Sequence, residues 1–166
     1  AVFIDVVLNH AFGQSPFVQL YFDPSAGQYG KPTPQNPWMN VDAKHDFNVG
    51  YDFNHESPAT QDYADRVMRY WVDEYNVDGY RMDLSKGFTQ NNTLGNVGAW
   101  GQFDQSRVDI LNRLKTEMES AKPGAYMILE HLADNAEEKV LSDQGFLLWG
   151  NMNHEYSEGA MGYGSN

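Results

Sequence analysis

The sequence predicts an α/β fold built on a parallel sheet. Three observations carry this. Short apolar runs suited to buried strands recur at residues 1–8, 77–84, 126–131 and 146–150. Apolar residues at helical spacing fill the intervals 57–75, 106–121 and 134–144. Strands that alternate with helices form right-handed βαβ units, which set neighbouring strands parallel. Two architectures satisfy this order: an open doubly wound sheet, or part of a (β/α)8 barrel. No Gly-rich phosphate loop follows the first strand, which weakens a dinucleotide-binding reading.

The elements follow in order. "AVFIDVVL", residues 1–8, is a continuous β-branched run broken by one Asp, as in a strand covered on both faces. Residues 11–56 are rich in Gly, Pro, Asn, Gln and aromatics, and a segment that long is a functional loop or a small subdomain. Ser57 and Pro58 open the first helix as N-cap and first helical residue. Tyr63, Val67, Trp71, Val72 and Tyr75 make its apolar face. "VDGYRMDL" is the second strand. Val108, Leu111, Leu114 and Met118 line the second helix, which Pro123-Gly124 ends. "YMILEH" is the third strand. Asp134 and Glu137 have the spacing of a capping box for the third helix, closed by Gly145. "FLLWG" is the fourth strand, and the tail "SEGAMGYGSN" reads as loose.

Composition narrows the partners. The chain of 166 residues is long enough for one real core. A net charge of −12 argues against nucleic acid and anionic membranes, and suits a neutral or cationic small molecule. Ten Tyr and four Trp suit sugar platforms, although each one singly is better explained as core. There is no Cys, hence no disulfide and no thiolate chemistry. No stretch is apolar for long enough to span a membrane as a helix. The chain starts inside a strand without Met and reads as part of something longer.

The chemistry concentrates at strand ends. Side chains alternate along a strand, so Gly79, Arg81 and Asp83 share one face while Tyr80 and Met82 share the other. An Asp two residues from an Arg on one face can pair with it, which favours its carboxylate form. Glu130 closes the third strand; Asn9 and His10 end the first. Parallel-strand C-terminal ends are where such folds place their chemistry. Each residue alone has a bland reading: Asp83 as a cap, His10 as a satisfied hydrogen-bonder, Arg81 as a structural ion pair. Polar groups at three consecutive strand ends favour a site. A metal-dependent hydrolase built on His10, His131 and the carboxylates lacks the paired-His spacing of a zinc centre.

"DVVLNH", "GYRMDLSKG" and "ILEH" resemble the first three of four core motifs of the α-amylase family, glycoside hydrolase family thirteen. "GYDFNHES" resembles, more weakly, the motif near the end of that family's inserted domain B. The resemblance implies about half of a (β/α)8 TIM barrel, residues 1–10 and 57–166, with a domain B-like insertion over 11–56. It implies retaining hydrolysis of α-glucans such as starch, glycogen, maltodextrin or pullulan. Asp83 would be the nucleophile, Glu130 the general acid/base, and Arg81 the arginine that pairs with the nucleophile. His10 and Lys86 would contact sugar, with His131 and Tyr80 as further candidate substrate-binding residues. Asp5 would be a buried partner of Arg81. Asn9 matches a calcium ligand, and Asp42, Asp46, Asn48 and Asp52 are further calcium candidates, so calcium is a candidate cofactor. The two catalytic carboxyl groups are expected about 5–5.5 Å apart.

Departures from the family pattern bear on activity. The fourth motif, which would supply a second Asp, is absent, and Gly87 stands where a His often follows the lysine. Four strands cannot close a barrel, so the chain alone is expected to be poorly active. A homodimer of half-barrels would cover the open edges. An α-glucan transglycosylase, such as a branching enzyme, and a non-catalytic glycan-binding relative are the competing readings. A polysaccharide substrate suits a secreted or periplasmic protein.

Overall fold

A computed structural model describes residues 1–47, 50–150 and 153–163 of the chain. In chain order the elements are β1 (Phe3–Val6), β2 (His10–Ala11), α1 (Pro16–Gln19), β3 (Phe22–Asp23), β4 (Lys31–Pro32), β5 (Tyr51–Asp52), α2 (Pro58–Tyr75), β6 (Gly79–Met82), a 3-10 turn (Ser85–Phe88), α3 (Val97–Gly101), α4 (Gln105–Ala121), β7 (Tyr126–Leu129), α5 (Asn135–Asp143), β8 (Leu147–Leu148) and α6 (Asn153–Ala160).

The main sheet has the order β1-β6-β7-β8, with every pair parallel. Each strand joins the next by a crossover in one direction, with no reversal of order. The core lies on one face only. Val6, Tyr80, Met82, Met127 and Leu129 point to it from the strands. Ala64, Met68 and Val72 of α2 meet them, with Val108, Leu111, Leu114 and Met118 of α4 and Leu141 of α5. The alternate residues Phe3, Tyr126 and Leu147 are exposed on the other face. A doubly wound sheet carries helices on both faces and reverses its strand order. Helices on one face of an unreversed parallel sheet make a segment of barrel wall. The structure thus selects the partial barrel from the two architectures the sequence left open.

Residues 11–56 carry a second small core of Val18, Met39 and Phe53, flanked by Phe17, Phe22, Trp38 and Tyr51. Two antiparallel ladders, β2–β5 and β3–β4, lie in this region. Tyr63 of α2 packs against both cores.

Gly79 is required where β6 begins. Its φ is +152°, and a Cβ there would lie 1.9 Å from the Tyr126 carbonyl oxygen of β7. No other residue fits that approach of two backbones.

Several local expectations change. The strands are shorter than their apolar runs. Within the tail read as loose, residues 157–160 belong to α6. Asp134 does sit at the N-cap of α5, but its side chain caps nothing. Glu137 does not close a capping box. It is fully buried and turned toward α4, where a charge partner outweighs a cap.

Candidate active site

The register of the sheet builds the rim. Asp5 of β1 lies level with Arg81 of β6, which lies level with Ile128 of β7. Beyond the strands, the backbone ladder continues one step. Asp83 N–H donates to Val6 O at 3.0 Å, Glu130 N–H to Met82 O at 3.1 Å, and Trp149 N–H to Leu129 O at 3.0 Å. Each rim residue therefore hangs from the strand before it, on backbone that is as fixed as the sheet.

Arg81 organises these side chains. Its Nη1 donates to Asp83 Oδ1 at 2.8 Å and to Asp5 Oδ1 at 2.8 Å. Its Nη2 lies 2.9 Å from Glu130 Oε2. One guanidinium fork thus bridges both predicted catalytic carboxylates. Burial opposes the arginine's charge, but its carboxylate partners more than offset this and hold its pKa above the ordinary value. The Trp149 ring lies 4.4 Å from the guanidinium and covers it. The Asp83 and Glu130 side chains are each 28% exposed, so both are reachable from solvent. Asp5 pairs with Arg81 as expected but is not buried: its side chain is 62% exposed, since β1 is an edge strand of the sheet.

Glu130 has a second anchor. Leu84 N–H donates to Glu130 Oε2 at 3.0 Å. Leu84 achieves this with φ 41° and ψ 50°, a left-handed conformation that costs a non-glycine residue on the order of 1 kcal/mol. Such a conformation persists where the surrounding bonds hold the backbone, here the Glu130 carboxylate and the Asn9 amide on the Leu84 peptide groups.

The other predicted residues divide. His10 is nearly buried, with Nδ1 against Asn9 Oδ1. Burial lowers its pKa, while the charge of Asp83 opposes this. Lys86 lies in the 3-10 turn, donates to Leu132 O at 3.0 Å and sits 4.2 Å over the Trp100 ring. Burial lowers its pKa, and the Arg107 charge adds to this. Tyr80 does not face the rim. It is fully buried in the helix-side core, and its hydroxyl donates to Met68 O at 2.9 Å. Burial pushes its phenol up to about 12. His131 is also fully buried, between Ser85 Oγ at 2.9 Å and Glu137 Oε1 at 2.5 Å, and has no surface for a sugar. For both, the parity that sends Arg81 to the rim sends the neighbour away from it.

Among the described residues, the calcium candidates are turned to other partners. Asn9 uses its amide nitrogen on Asp83 O at 3.2 Å and Leu84 O at 2.8 Å, stitching β1 to β6. Asp42 pairs with Lys31, and Asp46 accepts from Gly95 N–H. Asn48 lies outside the described residues. Asp52 keeps one buried oxygen without a hydrogen-bond partner, and burial pushes its pKa up to about 7. That oxygen faces His45 Nε2 at 3.7 Å, an imidazole where calcium would want oxygens. Among the described residues, no group of three or more carboxylates or imidazoles is placed to hold a metal.

Comparison with known proteins decides the family. A family model described as the α-amylase catalytic domain matches residues 13–166. The chain belongs to the α-amylase family. A glycogen debranching enzyme of Enterobacter sp. (strain 638) is 32% identical over 87 residues, which are 51% of this chain and 12% of that protein. Among solved structures, Eubacterium rectale Amy13B is similar with a TM-score of 0.63 at 22% identity, over 90% of this chain and 31% of that one. Pullulanase type I of Bacillus subtilis str. 168, solved with maltose, is similar with a TM-score of 0.52 at 24% identity, over 81% of this chain and 16% of that one. The α-amylase-family chain thus spans about a third or less of each of these relatives. Its parallel sheet and one-sided helix layer match a part of the α-amylase barrel.

Three functional features escaped the sequence reading. Trp149 shares the parity of Leu147 and follows β8 as Glu130 follows β7, so "FLLWG" did hold the signal. The Leu84 N–H has no signature in residue types. Glu137 was masked by its resemblance to a capping residue.

Proposed function

We propose that this chain carries the catalytic carboxylates of a retaining glycoside hydrolase acting on α-glucans. One observation carries the reading: the Arg81 fork, which reaches Asp83 with one nitrogen and Glu130 with the other. Two carboxylates sharing one guanidinium are near enough to flank a single anomeric carbon, as double-displacement glycosidases need. The relatives support the substrate class, since they include a glycogen debranching enzyme and a pullulanase solved with maltose.

The Asp83 carboxylate attacks the anomeric carbon. The bond to the leaving oxygen breaks as Glu130 gives that oxygen its proton. Glu130, now a carboxylate, takes a proton from water. That water displaces Asp83 and releases the sugar with its original anomeric configuration. Arg81 holds Asp83 in line, Trp149 shields the guanidinium, and Leu84 N–H orients Glu130. His10 and Lys86 are assigned to contact sugar on either side of the scissile bond, and residues 11–56 form the inserted domain that walls the cleft.

The test is release of reducing ends from soluble starch and pullulan by the full-length protein, beside its Asp83→Asn and Glu130→Gln variants. Release by the parent and none by either variant is expected. Activity that survives both substitutions overturns the assignment. Chain transfer without release, seen as altered iodine staining, would make the protein a transglycosylase with the same two residues.

A further inference from the structure

A fully buried ionic cluster lies directly beneath the acid/base. Arg107 of α4 and Glu137 of α5 are both fully buried and form a two-pronged pair, Nε to Oε1 at 2.7 Å and Nη2 to Oε2 at 2.8 Å. Burial alone would raise the Glu137 pKa, but the bonds from His131 and Arg107 hold it down to about 2. Burial lowers the His131 pKa, against the pull of Glu137. The neutral ring then carries its proton on Nε2 toward the Glu137 carboxylate and accepts from the Ser85 hydroxyl on Nδ1.

The pair grips both strand exits that bear the site. Arg107 Nη1 donates to Lys86 O at 3.1 Å, in the turn that follows Asp83. Glu137 holds His131, the residue after Glu130. Ser85 closes the loop, since its N–H donates to Glu130 O at 2.9 Å while its hydroxyl meets His131. The peptide joining Glu130 to His131 is thereby pinned on both sides, and the adjacent Leu84 N–H meets the Glu130 carboxylate.

We propose that Arg107, Glu137, His131 and Ser85 are positioning residues for Glu130, acting through the Ser85–His131 contact to hold the proton donor at the leaving oxygen. Buried charge is a costly way to join two helices, and here, besides the backbone groups of Trp100, Gln102 and Asp104 that it also holds, the cluster reaches Lys86 and His131 on the segments that follow the two carboxylates. The inference rests on the reading of Glu130 as acid/base.

The experiment compares two leaving groups in the full-length protein. A maltooligosaccharide needs a proton from Glu130 to depart, whereas a dinitrophenyl maltoside loses a stable phenolate without one. Misplacing the donor therefore lowers kcat/KM for the oligosaccharide on the order of 10-fold to 100-fold and for the aryl glycoside less than about threefold. Ser85→Ala and His131→Asn remove the link without unpairing a charge. The pair Arg107→Met with Glu137→Leu removes the cluster as a whole. Equal losses on both substrates, or no loss on either, in folded Ser85→Ala and His131→Asn proteins overturn the proposal. If Glu130→Gln itself spares oligosaccharide hydrolysis, the reading of Glu130 is what has failed.

Discussion

The Arg107–Glu137 pair allows a stability prediction with a worked magnitude. Both side chains are fully buried, so removing either one strands the other's charge away from water. Glu137→Leu leaves Arg107 with carbonyl partners only, and leaves His131 Nε2 and Asp104 N–H without their acceptor. Such a cut costs about 3–5 kcal/mol. Linkage gives an independent figure. The folded pKa of about 2 lies below the ordinary 4.5, which corresponds to about 3 kcal/mol. Because the folded value is depressed, that stability is fully present above about pH 4.5 and is lost as pH falls through 2. In a chain of 166 residues, 3–5 kcal/mol lowers Tm by roughly 6–20 °C. Arg107→Met alone does the same by stranding Glu137. Independent costs would sum to about 6–10 kcal/mol in the double variant. We expect the double variant to lose no more than either single one, a coupling of at least about 3–5 kcal/mol. Urea unfolding followed by circular dichroism at pH 7 and along an acid series measures all four proteins. Additive losses, or a wild-type acid limb identical to that of the double variant, would refute the reasoning.

Three further outcomes are expected. Gly79→Ala should cost at least about 4 kcal/mol and yield insoluble or unfolded protein, because the new Cβ strikes the Tyr126 carbonyl; a folded variant with wild-type Tm would contradict the close packing of β6 on β7. His55 is fully buried and burial lowers its pKa to about 4, so its contribution is intact above about pH 6.5 and lost as pH falls through 4; His55→Gln should flatten that stretch of the stability profile, read by thermal melts. Tm should move by less than about 1 °C between excess calcium and chelator, since tight binding to the folded state alone would raise it by several degrees.

The sequence was most legible where one rule governed a whole element. Alternation in "VDGYRMD" placed Arg81 and Asp83 together and Tyr80 with Met82, and the structure keeps both pairings. The same rule already spoke against Tyr80 as a sugar contact. Legibility failed where a side chain's partner lay far along the chain. Glu137 follows Asp134 by three residues and looks like a local cap, yet its partner is Arg107 on another helix. His131 stands beside Glu130, and alternation sends the two side chains to opposite sides, but nothing local shows that its partner is Glu137 of α5. Neighbours such as Leu84 act through backbone direction, which residue identity does not encode.

Trp149 has a consequence outside catalysis. An indole resting on a guanidinium that also holds three carboxylates, Asp83 and Glu130 among them, is an optical probe wired to the chemistry. Its half-exposed ring emits into water, whereas Trp100 is buried and stacked on His45. A change in the charge on Asp83 or Glu130, or the arrival of a sugar, alters the field and the polarity at that one ring. Steady-state emission, with Trp149→Phe as the blank, would therefore titrate the site directly and follow binding without any label.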